Sequence, residues 1–228
     1  MSNHINVVAI VEGKTEQIFV QSILAPYLAQ KMIFMTATQV NKPGQKGGDV
    51  RFERIKKDLG LHLKQQQDTY ITTLVDYYGV KEWPGIDQVA SSARPEQIAE
   101  CINQATKKEV NSLFSAQQSD RRFIPYIAIH EFEALLFSDS TALAMKLKID
   151  ESTILNVLSQ CLGPEAINNS PQSAPSKRLD RWSKNGKFPK TTTGITIAKN
   201  IGIPKMRENC PLFHSWISEL EAIIEGVT

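Results

Sequence analysis

The sequence predicts an α/β fold, in which a mainly parallel four-stranded sheet is flanked by helices and followed by a helical C-terminal extension. Residues 5–11 form an uncharged run rich in β-branched side chains, which is typical of a buried parallel strand. Strand-like and helix-like segments then alternate four times, and this alternation favours a parallel sheet covered by helices. Beyond residue 139 the strand-like runs cease and helical patterns dominate.

The first half of the predicted sheet consists of two strands and the helix between them. The strand at 5–11 ends at Glu12 and Gly13, and apolar residues at helical spacing then predict a helix over residues 15–30. Residues 32–40 predict the second strand. Three glycines and a proline in the following segment, 41–50, predict a loop.

The second half of the predicted sheet repeats this order. Residues 50–66 have a helical composition, and the third strand, 70–76, ends on Asp76. A helix is predicted over residues 95–118 because Pro95 stands near the first helical position, where proline is tolerated. The fourth strand is predicted at residues 122–129.

The chain of 228 residues is long enough for one large domain or for one domain with a small appendage. We assign residues 1–139 to the α/β domain and residues 140–228 to the helical extension packed on it. Helices are expected at 140–162 and 212–225, on either side of a stretch rich in Pro, Ser and Asn.

The composition excludes several classes of protein. Hydrophobic residues make up 41% and charged residues 22%, which is ordinary for a soluble globular protein and unlike a disordered one. A net charge of +2 does not by itself indicate nucleic-acid binding. The chain has no apolar run of membrane-spanning length, no secretion signal, and three widely spaced cysteines. The expected location is therefore cytoplasmic, without membrane contact.

Acidic residues follow three of the four predicted strands. Glu12 ends the first strand, Asp76 ends the third, and Glu131 and Glu133 lie just beyond the fourth. Because the carboxyl ends of parallel strands share one edge, these carboxylates would repel one another unless a cation lies among them. Hard oxygen ligands of this kind suit Mg²⁺ or Mn²⁺, so these four residues are the candidate metal-binding and catalytic groups.

Other interpretations of these acids remain open. Each carboxylate alone could be an ordinary loop or capping residue. A phosphate-binding loop around Gly13 is excluded because the glycine that this motif requires is replaced by Val8. His130 and Glu131 do not begin a zinc-protease motif, since position 134 is Ala. Glu131 and Glu133 share a face only if the chain is still extended there; in a helix only one of them could bind the metal.

Basic residues provide candidate contacts to a nucleic-acid backbone. The segment 177–190 is rich in Lys and Arg, with Trp182 and Phe188 between them, and a flexible basic stretch of this kind can follow phosphates. Glycines near Lys42 and Lys46 could expose backbone N–H groups to a phosphate. The alternatives are a solvated surface with a buried Trp182, and a plain connecting loop. The candidate nucleic-acid-binding residues are Lys14, Lys42, Lys46, Lys177, Arg178, Arg181 and Lys184.

His130 is a candidate catalytic residue because it lies beside Glu131. It could donate a hydrogen bond to a phosphate oxygen or orient a carboxylate. A buried structural histidine is an equally reasonable interpretation.

Several motifs carry a resemblance to a known group of proteins. VEGKTE, at residues 11–16, resembles the glutamate motif of TOPRIM domains, which occur in topoisomerases, primases, small RNA-maturation nucleases and overcoming-lysogenization-defect (OLD) nucleases. The strings DYYG, HEFEALLFSD and APSKR, which begin at Asp76, His130 and Ala174, are similar to signatures of an uncharacterised bacterial TOPRIM-related family. The resemblance covers most of the chain, and HEFEALLFSD is its most specific part.

The resemblance implies a TOPRIM-like sheet with Mg²⁺ bound between a glutamate and a D-x-D pair, for chemistry on phosphodiesters. Glu12 corresponds to the glutamate and Asp76 to the first aspartate. Tyr78 replaces the second aspartate, a departure that Glu131 or Glu133 could compensate. Proteins of this kind are commonly encoded beside ATPases of the AAA/ABC-like class in bacterial defence operons, so the resemblance also implies such an ATPase as a partner.

The leading hypothesis is a Mg²⁺-dependent nuclease that acts on DNA or RNA. The first alternative is a non-catalytic module that binds nucleic acid or an ATPase and has a degenerate metal site, as Tyr78 suggests. The second alternative is hydrolysis of a small phosphorylated molecule at the same site. Whether the chain forms a homo-oligomer is left open.

Overall fold

The computed structural model describes residues 4–40, 50–129, 131–167, 170 and 172–225. It confirms the predicted class, a mixed α/β fold with a parallel sheet, flanking helices and a helical C-terminal region. The strands in chain order are β1 (Ile5–Val11), β2 (Ile33–Gln39), β3 (Val50–Arg51), β4 (Thr69–Asp76), β5 (Val80–Lys81), β6 (Phe123–Ile124) and β7 (Ile127–Ala128). Among the described residues, no helix is long and apolar enough to cross a membrane.

The central sheet has the strand order β2-β1-β4-β6, and β7 also pairs with β4. All of these pairings are parallel, and Val11 of β1 lies opposite Leu74 of β4. The predicted first three strands are confirmed within one residue of their ends. A separate two-stranded parallel sheet, β3 with β5, was not predicted because each of its strands has two residues.

The predicted fourth strand is wrong as a single element, because it is split into β6 and β7 at Pro125. Proline has no backbone N–H to donate to a neighbouring strand. Thr73 of β4 bridges this gap, since its hydroxyl donates to the carbonyl of Tyr126 and accepts from the Tyr126 N–H, both at 3.0 Å. The sheet therefore keeps its direction through the break.

The helices largely follow the predicted segments. The main helices are α1 (Lys14–Phe19), α2 (Ala25–Ala29), α3 (Phe52–Gln65), α4 (Pro95–Phe114), α5 (Ser119–Arg122), α6 (Ser140–Leu147), α7 (Glu151–Cys161), α8 (Pro175–Trp182), α9 (Ile195–Asn209) and α10 (Pro211–Glu225). A π-helical turn, Val20–Leu24, joins α1 to α2, and another, Lys190–Gly194, precedes α9. Short 3₁₀ helices occupy Ile86–Gln88, Ser115–Gln117, Phe132–Ser138 and Pro164–Ala166.

The predicted helix 140–162 forms two helices instead of one. Lys148 has a left-handed backbone (φ +57°) and ends α6, and the carboxylate of Asp150 then caps the first turn of α7. Helix α9 also departs from regular geometry, because Gly202 has φ +76° and breaks the helix two residues before Pro204.

Two apolar cores cover the two faces of the sheet. One face packs against α3 and α4, and the other packs against α1, α2 and the C-terminal helices. Trp216 of α10 fastens the C-terminal region to β4, because its indole N–H donates to Thr72 Oγ1 at 2.8 Å and its ring stacks on Tyr126. The C-terminal region and the sheet therefore share one continuous core.

Candidate functional site

The strand order changes direction between β1 and β4, and we call the position at the carboxyl ends of these two strands the crevice. The chain leaves β1 toward β2 on one side of the sheet and leaves β4 toward β6 on the other side. In open α/β sheets, ligands bind where the connections diverge in this way. Glu12 directly follows β1 and Asp76 is the last residue of β4, so both lie at this position.

Glu12 is held against the loop that follows β4. The backbone N–H of Asp76 donates to Glu12 Oε2 at 3.3 Å. A Cβ added to Gly79 would lie 2.5 Å from the same oxygen, so this glycine allows the loop to approach the carboxylate. The loop and the first strand thus fix Glu12 at the crevice.

The third acidic strand end also reaches Asp76. The backbone N–H of Phe132, at the start of the 3₁₀ helix, donates to Asp76 Oδ1 at 2.9 Å. The sequence prediction that Glu12, Asp76 and the segment after the fourth strand share one edge matches this geometry.

Glu131 and Glu133 are directed to different partners. Glu131 has an extended backbone (φ −152°, ψ 152°), and the 3₁₀ helix begins immediately after it. Its two carboxylate oxygens accept hydrogen bonds from the backbone N–H and the hydroxyl of Ser176, at 2.8 and 2.9 Å. Glu133 instead lies 2.8 Å from the ammonium of Lys190.

Glu133 is the most deeply buried acid of the site. Only 2% of its side chain is exposed, yet its Oε2 atom has no hydrogen-bond partner among the described residues. Burial raises the pKa of Glu133, and Lys190 opposes this rise. A buried carboxylate oxygen without a partner costs free energy, so this atom is a candidate acceptor for a cation or a hydrogen-bond donor.

Glu16 belongs to the VEGKTE string but was not among the predicted site residues. Glu16 is buried in the first turn of α1, and burial raises its pKa, with a further contribution from Glu12. The spacing of four residues between Glu12 and Glu16 was a usable signal, because it can bring two side chains to the same side of a starting helix. The N–H groups of Gly13 and Glu16 hydrogen-bond the Glu16 carboxylate and lower its pKa, as in a helix N-terminal cap.

Asp76 lies at the electrostatic centre of the group. Burial raises its pKa well above the usual range, and the neighbouring carboxylates raise it further. In order of decreasing effect, these neighbours are Glu16, Glu12, Glu133 and Glu131. We call these five residues the carboxylate cluster.

Lys190 supplies a positive charge to the carboxylate cluster. Burial opposes its charge, but Glu133, Glu131 and Asp76 raise the pKa of its ammonium group, so Lys190 is a cation at neutral pH. Lys190 was considered only as one of the basic residues in segment 177–190. Its contact with Glu133 joins positions 57 apart in the chain, which no local pattern could reveal.

Tyr78 stands two residues after Asp76, where the predicted resemblance to TOPRIM domains would expect a second aspartate. Its side chain is exposed at 36% and lies beside Tyr77, with ring centroids 6.4 Å apart. Partial burial and the charge of Glu131 raise the pKa of Tyr78 to about 12, so it is a neutral phenol at physiological pH.

The carboxylate cluster can be compared with the ligand arrangement that a metal ion requires. Within the part of the chain that the structure describes, no three His, Cys, Asp or Glu side chains are arranged around a common ion position. Mg²⁺ nevertheless needs only one or two carboxylates when phosphate and water complete its octahedron. The donor chemistry is entirely hard oxygen, and the unsatisfied oxygen of Glu133 is an acceptor that a cation could satisfy.

Comparison with known proteins gives one family. Residues 11–221 match DUF4276, a domain of unknown function. The chain belongs to the DUF4276 family. The comparisons with curated proteins and with solved structures give no match. The expected membership of an uncharacterised family is thus confirmed, whereas the relation to TOPRIM stays a prediction.

In this DUF4276 chain, the remaining predicted residues fall into two groups. Lys14 is exposed and donates to Gln17, while Lys177, Arg181 and Lys184 are exposed and Arg178 is half-buried. His130, Lys42 and Lys46 lie outside the described residues.

The basic segment 177–190 was expected to be flexible, and this expectation is wrong. Helix α8 forms its first part, and Trp182 packs against Phe137 in the core, with ring centroids 5.9 Å apart. Trp182 is half-buried, so it anchors the segment as the alternative interpretation proposed. The charged side chains around it still face solvent.

Proposed function

We propose that this chain is a metal-dependent nuclease that hydrolyses phosphodiester bonds of DNA or RNA at the carboxylate cluster. The observation that carries the proposal is the set of five neighbouring carboxylates at the switch point of a parallel sheet, one of them with a buried oxygen that has no hydrogen-bond partner among the described residues. Such a set is costly for folding alone, and residues whose pKa values are strongly perturbed are concentrated at functional sites.

Glu12 and Asp76 are the residues that would hold Mg²⁺ or Mn²⁺ in this proposal, because they lie at the crevice and are joined by a hydrogen bond. A bound divalent ion would polarise the phosphorus, favour ionisation of the attacking water and neutralise the leaving oxygen. Glu133 is the better candidate to contact the ion through a bound water, since both oxygens of Glu131 already accept hydrogen bonds from Ser176.

Side chains of the protein would supply a positive charge for the phosphate and a group for proton transfer. Lys190 retains 44% side-chain exposure while it pairs with Glu133, so its ammonium can also donate to a phosphate oxygen at the crevice. Burial raises the pKa of Glu16, which suits a group that takes up and releases a proton during the reaction. Ser176 fixes Glu131 and thereby keeps the segment 131–133 in place.

The proposed relation to TOPRIM domains draws support from the order of elements. Glu12 directly follows β1 and Asp76 ends β4, which agrees with the order that the resemblance gives to the glutamate and the first aspartate. Glu133 would take over from the missing second aspartate. The resemblance also supports a cytoplasmic defence role with an AAA/ABC-like ATPase as partner. A homo-oligomer of this chain is compatible with that role and with that partner.

A second candidate function is a non-catalytic module that binds nucleic acid or the ATPase. Tyr78 favours it, because an exposed neutral phenol replaces a carboxylate at the position where the resemblance places a metal ligand. This candidate predicts co-purification with the ATPase and no cleavage with any divalent ion.

The test is cleavage of plasmid DNA, single-stranded DNA and bulk tRNA with Mg²⁺ or Mn²⁺. Glu12→Gln should reduce the cleavage rate about 100-fold or more, because a carboxylate proposed to hold the metal ion is lost. Glu109→Gln, an exposed acid on α4, is the matched control and should cut like the parent. Equal cutting by all three proteins would refute the site. Absence of cutting, even with the ATPase added, would favour the non-catalytic module.

A further inference from the structure

The segment 175–190, which we call the basic arm, begins and ends at the carboxylate cluster. At its start, Ser176 donates two hydrogen bonds to Glu131. At its end, the ammonium of Lys190 lies 2.8 Å from Glu133. The arm therefore forms a rim beside the proposed active site, and both of its ends contact acids of that site.

The basic arm has a defined shape between these two ends. Helix α8 forms its first half, and the carboxylate of Asp180 accepts a hydrogen bond from the N–H of Phe188 at 2.8 Å. Phe188 is 3% exposed and anchors the return of the chain in the core. Because the backbone is anchored in this way, the Cα atoms of the charged residues stand at defined places relative to the site.

Between its two ends, the basic arm carries positive charges that have no acidic partner among the described residues. Asp180 is the one acidic residue within the segment, and its carboxylate is engaged by Phe188. Across the described part of the chain, no carboxylate forms an ion pair with the five cations that lie between the two ends. These cations are Lys177, Arg178, Arg181, Lys184 and Lys187.

Two of these cations are also held in place by the backbone. Arg178 donates to the carbonyl of Ser173 at 2.8 Å, and Arg181 donates to the carbonyl of Gln172 at 2.6 Å. These contacts orient the guanidinium groups without removing their charge. Lys177 and Arg181 are one helical turn apart, so they present neighbouring charges on one side of α8.

We infer that the basic arm binds the sugar–phosphate backbone of a nucleic-acid strand and leads it to the carboxylate cluster. Charges spread along an arm suit a polymer with repeated phosphates, whereas a small phosphorylated molecule would need a single pocket. This inference rests on the proposed function of the site and makes its substrate a polymer. DNA and RNA share the backbone chemistry, so the arm does not distinguish them.

The experiment is binding of fluorescein-labelled single-stranded DNA and RNA of one sequence, measured by fluorescence anisotropy in EDTA at several salt concentrations. The variant Lys177→Gln/Lys184→Gln/Lys187→Gln removes three charges of the arm. Each lost phosphate contact on a single strand lowers the salt dependence by about 0.7, so the log–log slope should fall by about 2. Affinity at moderate salt should fall about tenfold or more.

The matched control removes the same charge elsewhere. Lys57→Gln/Lys108→Gln/Lys146→Gln changes three exposed lysines on α3, α4 and α6 and should keep the slope and affinity of the parent. A charge-retaining arm variant, Lys177→Arg/Lys184→Arg/Lys187→Arg, should also keep them. This variant distinguishes the effect of lost charge from the effect of a disturbed structure.

Two results would overturn the inference: an arm variant that binds like the parent, or a control that loses as much affinity as the arm variant. Because these measurements contain no metal, they are independent of cleavage. If either of these results is found but the parent still cuts nucleic acid in Mg²⁺, the inference about the basic arm is wrong and the proposed hydrolysis stands. If the arm binds but nothing is cut, the proposed hydrolysis is wrong and the binding surface remains.

Discussion

Glu133 and Glu165 are both buried glutamates, but their surroundings differ. Glu165 is 7% exposed, and its two oxygens accept hydrogen bonds from the N–H groups of Leu212 and Phe213, at 2.8 and 2.9 Å. Glu133 is 2% exposed and has one lysine partner at Oε1, while its Oε2 has no hydrogen-bond partner among the described residues. One carboxylate is fully satisfied by the fold, and the other is not.

The difference separates a structural role from a functional one. Glu165 reaches the first turn of α10 from a distant part of the chain and caps its free N–H groups, which stabilises the docking of that helix. The carboxylate cluster around Glu133 gathers charges that repel one another and gains no comparable set of hydrogen bonds. Proteins commonly tolerate such unfavourable groups at sites that act on a ligand.

The largest expected effect is the pH dependence of stability that Glu165, the buried glutamate with the structural role, should cause. Burial raises the pKa of Glu165 from 4.5 to about 7, which corresponds to about 3 kcal/mol. Between these two pH values the folded protein retains a proton that the unfolded chain releases, so rising pH favours unfolding. Relative to Glu165→Gln, the parent should lose up to about 3 kcal/mol of unfolding free energy between pH 4.5 and 7, and nothing further above pH 7.

Urea unfolding of both proteins at several pH values measures this difference. Glu165→Gln is a suitable reference because it keeps the shape of the side chain but does not titrate in this range. A constant difference between the two proteins across the whole range would show that Glu165 does not titrate as the structure indicates.

The next largest effect is expected for Gly79→Ala, which should displace the carboxylate of Glu12. In Gly79→Ala the new methyl would lie 2.5 Å from Glu12 Oε2, so the carboxylate must move away. The carboxylate is the end of a flexible side chain, so stability should change by less than about 1 kcal/mol. Metal-dependent cleavage should fall about tenfold or more, because small displacements of positioned groups are costly for catalysis.

A compensating variant distinguishes this cause from a general disturbance of the loop. Glu12→Asp shortens the side chain and makes room for the methyl, so Gly79→Ala should cost less activity in the Glu12→Asp protein than in the parent. The four cleavage rates form a double-mutant cycle. Strictly additive losses would mean that Gly79 and Glu12 act independently.

Much of the fold could be predicted because its signals are local. The strands β1, β2 and β4 are apolar, β-branched runs, and their ends place Glu12 and Asp76 at one edge of a parallel sheet. The start of α8 carried a local signal that was not used, since Pro175 stands at the first helical position. The two-residue strands β3 and β5 are too short to produce any periodic pattern.

The rest of the site depends on contacts between distant positions. Glu131 meets Ser176 across 45 positions of the chain, and Glu133 meets Lys190 through the packing of the C-terminal region on the sheet. The bridge that Thr73 makes across the break at Pro125 likewise needs the assembled sheet. Such pairings follow from tertiary packing, which a single sequence does not reveal.

The most direct test of the account compares the unfolding free energy of the parent and Asp76→Asn, with EDTA and with Mn²⁺. The amide removes the charge at the centre of the carboxylate cluster, and its oxygen can still accept the Phe132 N–H. In EDTA we expect Asp76→Asn to be more stable by about 1 kcal/mol, or about 2–4 °C in Tm. Mn²⁺ should stabilise the parent and have little effect on Asp76→Asn. The opposite result would be that Asp76→Asn is less stable than the parent in EDTA and that both proteins respond equally to Mn²⁺. It would contradict the claim that repulsion within the carboxylate cluster is relieved by a bound cation.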